Sequence, residues 1–280
     1  MIVVETKQDL INKLDSYQSY QTIGFVPTMG FLHEGHVKLI EEARKANDIV
    51  VLSIFVNPLQ FGPNEDFESY PRDAERDEAI AKQAGVDMLF RPQVDEMYPK
   101  KPSYTVSVQN RVNVLCGKSR SGHFDGVATV LTKLFHLVQP NRAYFGMKDA
   151  QQVAVIDGLI KEFHFPIDLV PVSTVREEDG LAKSSRNVYL NEEERSQAPI
   201  LYKSLKIAEE TILNGERNKQ AIIEQVSSLI KTETSGIIDY IEILSYPELK
   251  ELDVINGKII IALAVKFTNA RLIDNITIEI

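Results

Sequence analysis

From Thr22 to about residue 175 the chain alternates short apolar runs of β character with amphipathic helical patterns, and no other feature restricts its fold as strongly. TIGFVPT (22–28) leads to VKLIEEARKA (37–46), DIVVLSIFV (48–56), a charged helical stretch from about Arg72 to Ala84, and VDMLF (86–90). Two more units follow: VATVLTKLFHLV (127–138) then AYFG (143–146), and DAQQVAVIDGLIKEF (149–163) then IDLVPV (167–172). Such alternation predicts βαβ units, hence an α/β fold in which a Rossmann-like parallel sheet carries helices on both faces. Open sheets of this kind bind ligands beyond the carboxyl ends of their strands, so the polar loops there are the first candidates for a site.

After about residue 175 the pattern changes. REEDGLAKSSRN (176–187) is polar, helical patterns follow near 192–214 and 217–232, and the end reads as strands, DYIEILS, KIIIALAVKF and ARLIDNITIEI. Helices followed by adjacent strands predict a smaller α+β domain, dividing the chain into residues 1–175 and 176–280.

A net charge of −9 disfavours broad nucleic-acid binding, which needs a basic face, but leaves room for a local basic pocket and a small anionic ligand. The single cysteine, Cys116, excludes an internal disulfide framework and a multi-thiolate metal site, and fits a reducing compartment. No run approaches the roughly 18 apolar residues of a membrane span. The start, MIVVETKQDL, lacks the basic and apolar regions of a signal peptide, so a cytoplasmic location without membrane contact is expected.

The segment FVPTMGFLHEGHVKLI (25–40) sets two histidines at the mouth of a helix whose first residues fall near Gly35 and His36. A helix start offers unpaired N–H groups and partial positive charge, glycines allow close backbone approach, and imidazoles add donors. Phosphate is the natural guest. The competing readings are that His33 and His36 merely cap or fill a turn, or that they share a zinc ion. The helical signature H-E-x-x-H is absent, because the second histidine arrives one residue early. A distant segment, LAKSSRN (181–187), offers two hydroxyls and two cations suited to the oxygens of a triphosphate.

HEGH and KSSRN together resemble the HxGH and KMSKS-type signatures of the nucleotidyltransferase superfamily, shared with class I aminoacyl-tRNA synthetases. Three further segments, IFVNPLQFGPNEDFESYPR (54–72), GHFDGVATV (122–130) and YFGMKDAQQ (144–152), narrow the resemblance to the pantoate-beta-alanine ligase family. It runs through most of residues 1–195. The resemblance implies a nucleotidyltransferase-type (HUP) sheet domain over 1–175, binding nucleotide and pantoate, and a C-terminal α+β lid domain over 176–280. It also implies ATP-dependent condensation of pantoate with β-alanine through an enzyme-bound pantoyl adenylate, releasing pyrophosphate and then AMP. Magnesium, a homodimer and a cytoplasmic location in coenzyme A biosynthesis belong to the same expectation.

Residue by residue, His33 and His36 match the signature histidines that bind phosphates and stabilise charge as the pantoate carboxylate attacks the α-phosphorus. Pro27, Met29, Gly35, Gly146, Lys148, Asp149, Val175, Lys183, Ser184, Ser185 and Arg186 complete the implied ATP site, with Lys148 on phosphates and Asp149 near the ribose. Gln60 and Gln152 match the amides that hold pantoate, with Met29 and Phe61 beside them; simple core packing is the other reading of Phe61. Arg120 and His123 match a basic loop near the site. Asp77 matches an acidic residue that helps hold magnesium, although Arg76 stands where another acid is expected. Lys183 replaces the usual methionine, whose backbone faces adenine in relatives.

No side chain is required as a nucleophile, because a carboxylate already is one; positioning and charge neutralisation carry the first step. A nucleotide adenylyltransferase would be shorter and lack NPLQF and DAQQ. A tRNA synthetase would need an RNA-binding surface, and a nucleotide sensor would lose the acceptor-side glutamines. A dehydrogenase is disfavoured because no G-x-G-x-x-G follows the first predicted strand.

Overall fold

The computed structural model describes residues 1–17, 20–63, 65 and 67–280. In chain order it begins β1 (Ile2–Val4), α1 (Lys7–Leu14), β2 (Ile23–Thr28), α2 (Glu34–Ala46), β3 (Ile49–Ile54), α3 (Ala74–Gln83) and β4 (Met88–Phe90). It continues α4 (Val94–Met97), α5 (Leu115–Ser119), α6 (His123–Val138), β5 (Arg142–Gly146), α7 (Ala150–Glu162) and β6 (Asp168–Val172). The remainder is α8 (Glu192–Gln197), α9 (Ile200–Leu213), α10 (Lys219–Glu233), β7 (Ile237–Ser245), β8 (Lys258–Lys266) and β9 (Arg271–Glu279).

These elements form two units. The first comprises Met1–Gln109, Arg120–Gly146 and Val155–Val172; the second comprises Asn110–Ser119, Met147–Ala154 and Ser173–Ile280. The second thus draws in two short segments that precede residue 173. Small residues explain one of them: Ala150 and Ala154 on the first turns of α7 pack with Leu244, Ile260 and Ala262.

In the first unit, six parallel strands lie in the order β1-β4-β3-β2-β5-β6. Val26, Val50 and Leu52 face Leu39, Ile40 and Ala43 of α2 and Ala81 of α3. On the opposite face, Phe25 meets Phe135 of α6 edge-on, with ring centroids 6.4 Å apart. Both faces are therefore covered, which is why IVVLSI reads as a continuous apolar run rather than an alternating one.

In the second unit β7, β8 and β9 form an antiparallel sheet. Ile259, Ile261, Leu263 and Val265 of β8 join Leu205, Ala208 and Ile212 of α9 and Ile222, Val226 and Ile230 of α10 in one core. Ile260 and Ala262, on the other face, belong to the cluster around Ala150. The central strand is buried on both sides, as its sequence KIIIALAVK requires.

Candidate active site

The strand order places the connections from β2 and β5 on opposite sides of a switch point, the place where open α/β sheets form a ligand crevice. A proline marks it. Ile23 carbonyl accepts from Asn141, on the β5 side, whereas Thr28 carbonyl accepts from Phe55, on the β3 side. Alternate residues face alternate neighbours, so Pro27, in step with Ile23, turns its missing N–H toward β5. Pairing between β2 and β5 accordingly spans only Gly24 with Arg142 and Phe25 with Ala143, and the strands part before the carboxyl edge.

The histidine turn rises from that edge. Gly30 and Phe31 have φ of +84° and +52°, a left-handed pair that glycine adopts freely and phenylalanine does not. His33 is the N-cap of α2, whose first helical residue is Glu34, so the helix begins slightly earlier than the sequence pattern suggests. The His33 Nδ1 accepts from Gly35 N–H at 3.1 Å and the His36 Nδ1 accepts from His33 N–H at 3.3 Å, a reciprocal capping box. A Cβ on Gly35 would lie 2.8 Å from the His33 ring, which explains the glycine in HEGH. A backbone N–H can only donate, so each Nδ1 is an acceptor and each neutral ring carries its proton on Nε2. The ring centroids are 4.1 Å apart. Two parallel-purpose N–H donors thus stand together at the switch point.

Asp77 lies under this turn. It is 2% exposed, and its Oδ2 and Oδ1 accept from Phe31 and Leu32 N–H, each at 2.7 Å. A magnesium ion would have to compete with both bonds where solvent does not reach, so the metal-ligand role implied for Asp77 does not fit its geometry. Among the described residues, no three His, Cys, Asp or Glu side chains group as a metal site.

Beside the histidine turn, Pro58–Gln60 forms a short 3-10 turn capped by Asn57. Asn57 is buried; its amide donates to Gln60 Oε1 at 3.1 Å and Gly126 carbonyl at 3.0 Å, while Oδ1 accepts from Tyr98 at 3.0 Å. Gln60 in turn approaches the Met29 sulfur at 3.2 Å. Gly126 is obligatory, since a Cβ there would sit 2.2 Å from the Leu59 carbonyl. Phe61 stands edge-on to Phe67 and Tyr70, with centroids 5.4 and 6.0 Å away. Arg120 grips Glu65 through two bonds of 2.7 and 2.6 Å and donates to His123 Nε2 at 3.0 Å, while His123 Nδ1 donates to Gln60 carbonyl at 2.7 Å. His123 is therefore the opposite tautomer to His33 and His36. The Arg120 guanidinium holds the Glu65 carboxyl below the usual range.

In the second unit, Met147–Asp149 forms a 3-10 turn in which Lys148 and Asp149 pair at 3.9 Å. Asn275 of β9 donates to both Met147 and Lys148 carbonyls, at 2.9 and 3.0 Å. The adjacent glutamines divide their tasks. Gln151 is buried and donates to Arg111 and Val114 carbonyls at 2.9 and 2.8 Å, whereas Gln152 is half-buried.

The segment from Val175 is a small hairpin rather than an irregular loop. Lys183 N–H donates to Val175 carbonyl at 2.9 Å and Glu177 N–H to Leu181 carbonyl at 2.8 Å, and Arg176 bridges Ala182. Arg176 holds Asp274 through bonds of 2.7 and 2.9 Å and stacks on Tyr202 at 3.5 Å. Lys183 Nζ pairs with Glu177 at 2.9 Å. Ser184 Oγ caps the turn Ser185–Tyr189 by accepting from Arg186 N–H at 3.2 Å. Gln151, Asn275 and Arg176 carry no local signal in the sequence, whereas Asn57, preceding a proline, has the signature of a cap.

An open parallel sheet with covered faces and paired imidazole donors at its switch point has the build of an α/β enzyme that handles phosphorylated nucleotides. The chain belongs to the Pantoate-beta-alanine ligase family, whose model matches residues 2–277. It is 65% identical to a pantothenate synthetase of Geobacillus sp. (strain WCH70), with 100% of each chain covered. It is 63% identical to that of Bacillus pumilus (strain SAFR-032), covering 100% of this chain and 97% of the relative. The crystal structure of pantothenate synthetase from Thermus thermophilus matches with a TM-score of 0.92 at 45% identity over 99% of each chain. The ligase of Francisella tularensis, complexed with beta-gamma ATP and beta-alanine, matches with a TM-score of 0.80 at 35% identity over 99% of this chain and 97% of that one. The family's reaction is ATP-dependent condensation of pantoate with β-alanine, so the family, fold and reaction implied by the motifs are met. No described helix is long and apolar enough to cross a membrane.

Proposed function

We propose that this chain makes pantothenate in two steps, the first of them served by the histidine turn. ATP and pantoate first give pantoyl adenylate and pyrophosphate; the β-alanine amine then attacks the acyl carbon and releases AMP. The observation that carries this reading is the paired imidazoles, each with Nδ1 accepting a backbone N–H. Neutral Nε2–H donors fixed before substrate arrives can meet charge that builds on the α-phosphate without reorganising during the reaction. Pro27, Met29, Gly35, Gly146, Val175 and Lys183 contribute backbone or packing around the nucleotide. Lys148, Ser184, Ser185 and Arg186 serve its phosphates, and Asp149 its ribose.

Gln60, held by Asn57, and Gln152 bind pantoate, with Phe61 against its dimethyl portion and the Met29 backbone beside it. Arg120 and His123 form the basic loop beside them. Magnesium enters with the nucleotide, held by phosphates and water rather than by a protein cage. Residues 1–175 work as the nucleotide- and pantoate-binding domain and 176–280 as a lid, in a cytoplasmic homodimer. The test is AMP and pantothenate formation from magnesium-ATP, pantoate and β-alanine, with each acid omitted in turn. Both products only in the complete mixture support the reading; ATP binding without AMP overturns the acceptor assignment.

A further inference from the structure

Asp77 holds a concavity made by two successive backbone N–H groups, those of Phe31 and Leu32, immediately before His33. Such concavities suit an anion, and here the protein supplies its own. The location is the strained part of the turn, where left-handed Gly30 and Phe31 follow one another. The Arg76 guanidinium, one residue from Asp77, lies over the Phe31 ring at 5.0 Å and closes the same corner.

A Cβ on Gly30 would come within 2.9 Å of Asp77 Oδ2, so the glycine in the turn is what leaves room for the carboxylate. An asparagine would keep one acceptor and aim an NH2 group at the second N–H donor.

We propose that Asp77 is a positioning residue of the adenylating step: it fixes Phe31 and Leu32 so that His33 caps α2 and both signature histidines present Nε2–H. This rests on the reading of His33 and His36 as phosphate donors. The side chain acts through the turn and touches neither substrate nor metal. Losing one charge-assisted bond and leaving a buried donor unmatched corresponds to roughly a ten- to hundredfold loss.

The experiment compares the wild type, Asp77→Asn and Asp48→Asn in the full chain. Asp48 also accepts from a backbone N–H and a hydroxyl, both of Thr22 at 2.8 Å, but at the amino end of β3, away from the turn. In Asp77→Asn, kcat should fall roughly ten- to a hundredfold with the magnesium dependence unmoved. Long-range proton–nitrogen spectra should show Nε2–H tautomers for His33 and His36 in the wild type and loss of that uniform signature in the variant. Asp48→Asn should lower thermal stability and leave kcat and the spectra unchanged. A folded Asp77→Asn with wild-type kcat and tautomers overturns the proposal, as does a rise in the magnesium requirement with kcat restored at saturation. Should Asp77→Asn fail to fold, wild-type spectra with an Nδ1–H proton on either histidine still overturn it. Full turnover in His36→Ala would instead remove the reading on which the proposal rests.

Discussion

The histidine turn after β2 and the segment from Val175 to Arg186, a hairpin leading into a 3-10 turn, both carry nucleotide signatures, yet they are held in different ways. The first is tied by backbone N–H groups to imidazole nitrogens and to a buried carboxylate, and its glycines are dictated by close approach. The second is a short backbone ladder braced by ion pairs, one buried at Asp274 and one partly exposed between Lys183 and Glu177. A site needing fixed donors gains from the first construction, because caps and buried acceptors are insensitive to salt. The second leaves part of its bracing open to screening.

The largest effect should come from breaking the buried brace. Arg176→Ala leaves Asp274, 3% exposed, without its cation and should cost about 3–5 kcal/mol in denaturant unfolding. His36→Ala comes next and acts on turnover: loss of a donor aimed at developing charge should cost on the order of 3 kcal/mol, a hundredfold or more in rate. Stability that falls in step with turnover would show the ring to be a cap alone.

Glu65→Gln tests an ion pair beside the first motif. The folded carboxyl is held low by Arg120, so the pair's contribution is complete above the unfolded value of ~4.3 and is lost as pH falls through the lower folded one. Wild type should exceed the variant by up to about 1 kcal/mol at neutral pH, with the gap closing in acid. The smallest change is Lys183→Met. Because the main-chain bond from Lys183 to Val175 remains, the KM for ATP should stay within about twofold and only the salt dependence of unfolding should weaken.

Much of this was legible in the sequence. Runs such as IVVLSI and KIIIALAVK declare strands buried on both faces, and alternation with helical patterns declares the parallel sheet. β1, three residues long, and α1, largely polar, lacked a comparable signal; β1 is set by pairing with β4 and α1 by packing against α6. Pattern also blurred the helical stretch near 192–214, which Ala198 and Pro199 divide into α8 and α9.

At the site, motif residues were legible but their supports were not. Histidine is not a favoured N-cap, so nothing local announced that His33 and His36 cap one another. Asp77 bonds across 46 residues of sequence to Phe31. Adjacent Gln151 and Gln152 differ only in which side of α7 meets the Arg111 segment. These are tertiary relations, and one-dimensional spacing does not encode them.

If the histidine turn carries adenylation, that step needs ATP and pantoate but no β-alanine. Its most direct test is isotope exchange between pyrophosphate and ATP with pantoate present and β-alanine absent, in wild type and His36→Ala. Pantoate-dependent exchange is expected in the wild type, with a loss of a hundredfold or more in the variant. Exchange that is equal in both, or absent from a wild type that forms AMP in the complete mixture, would contradict it.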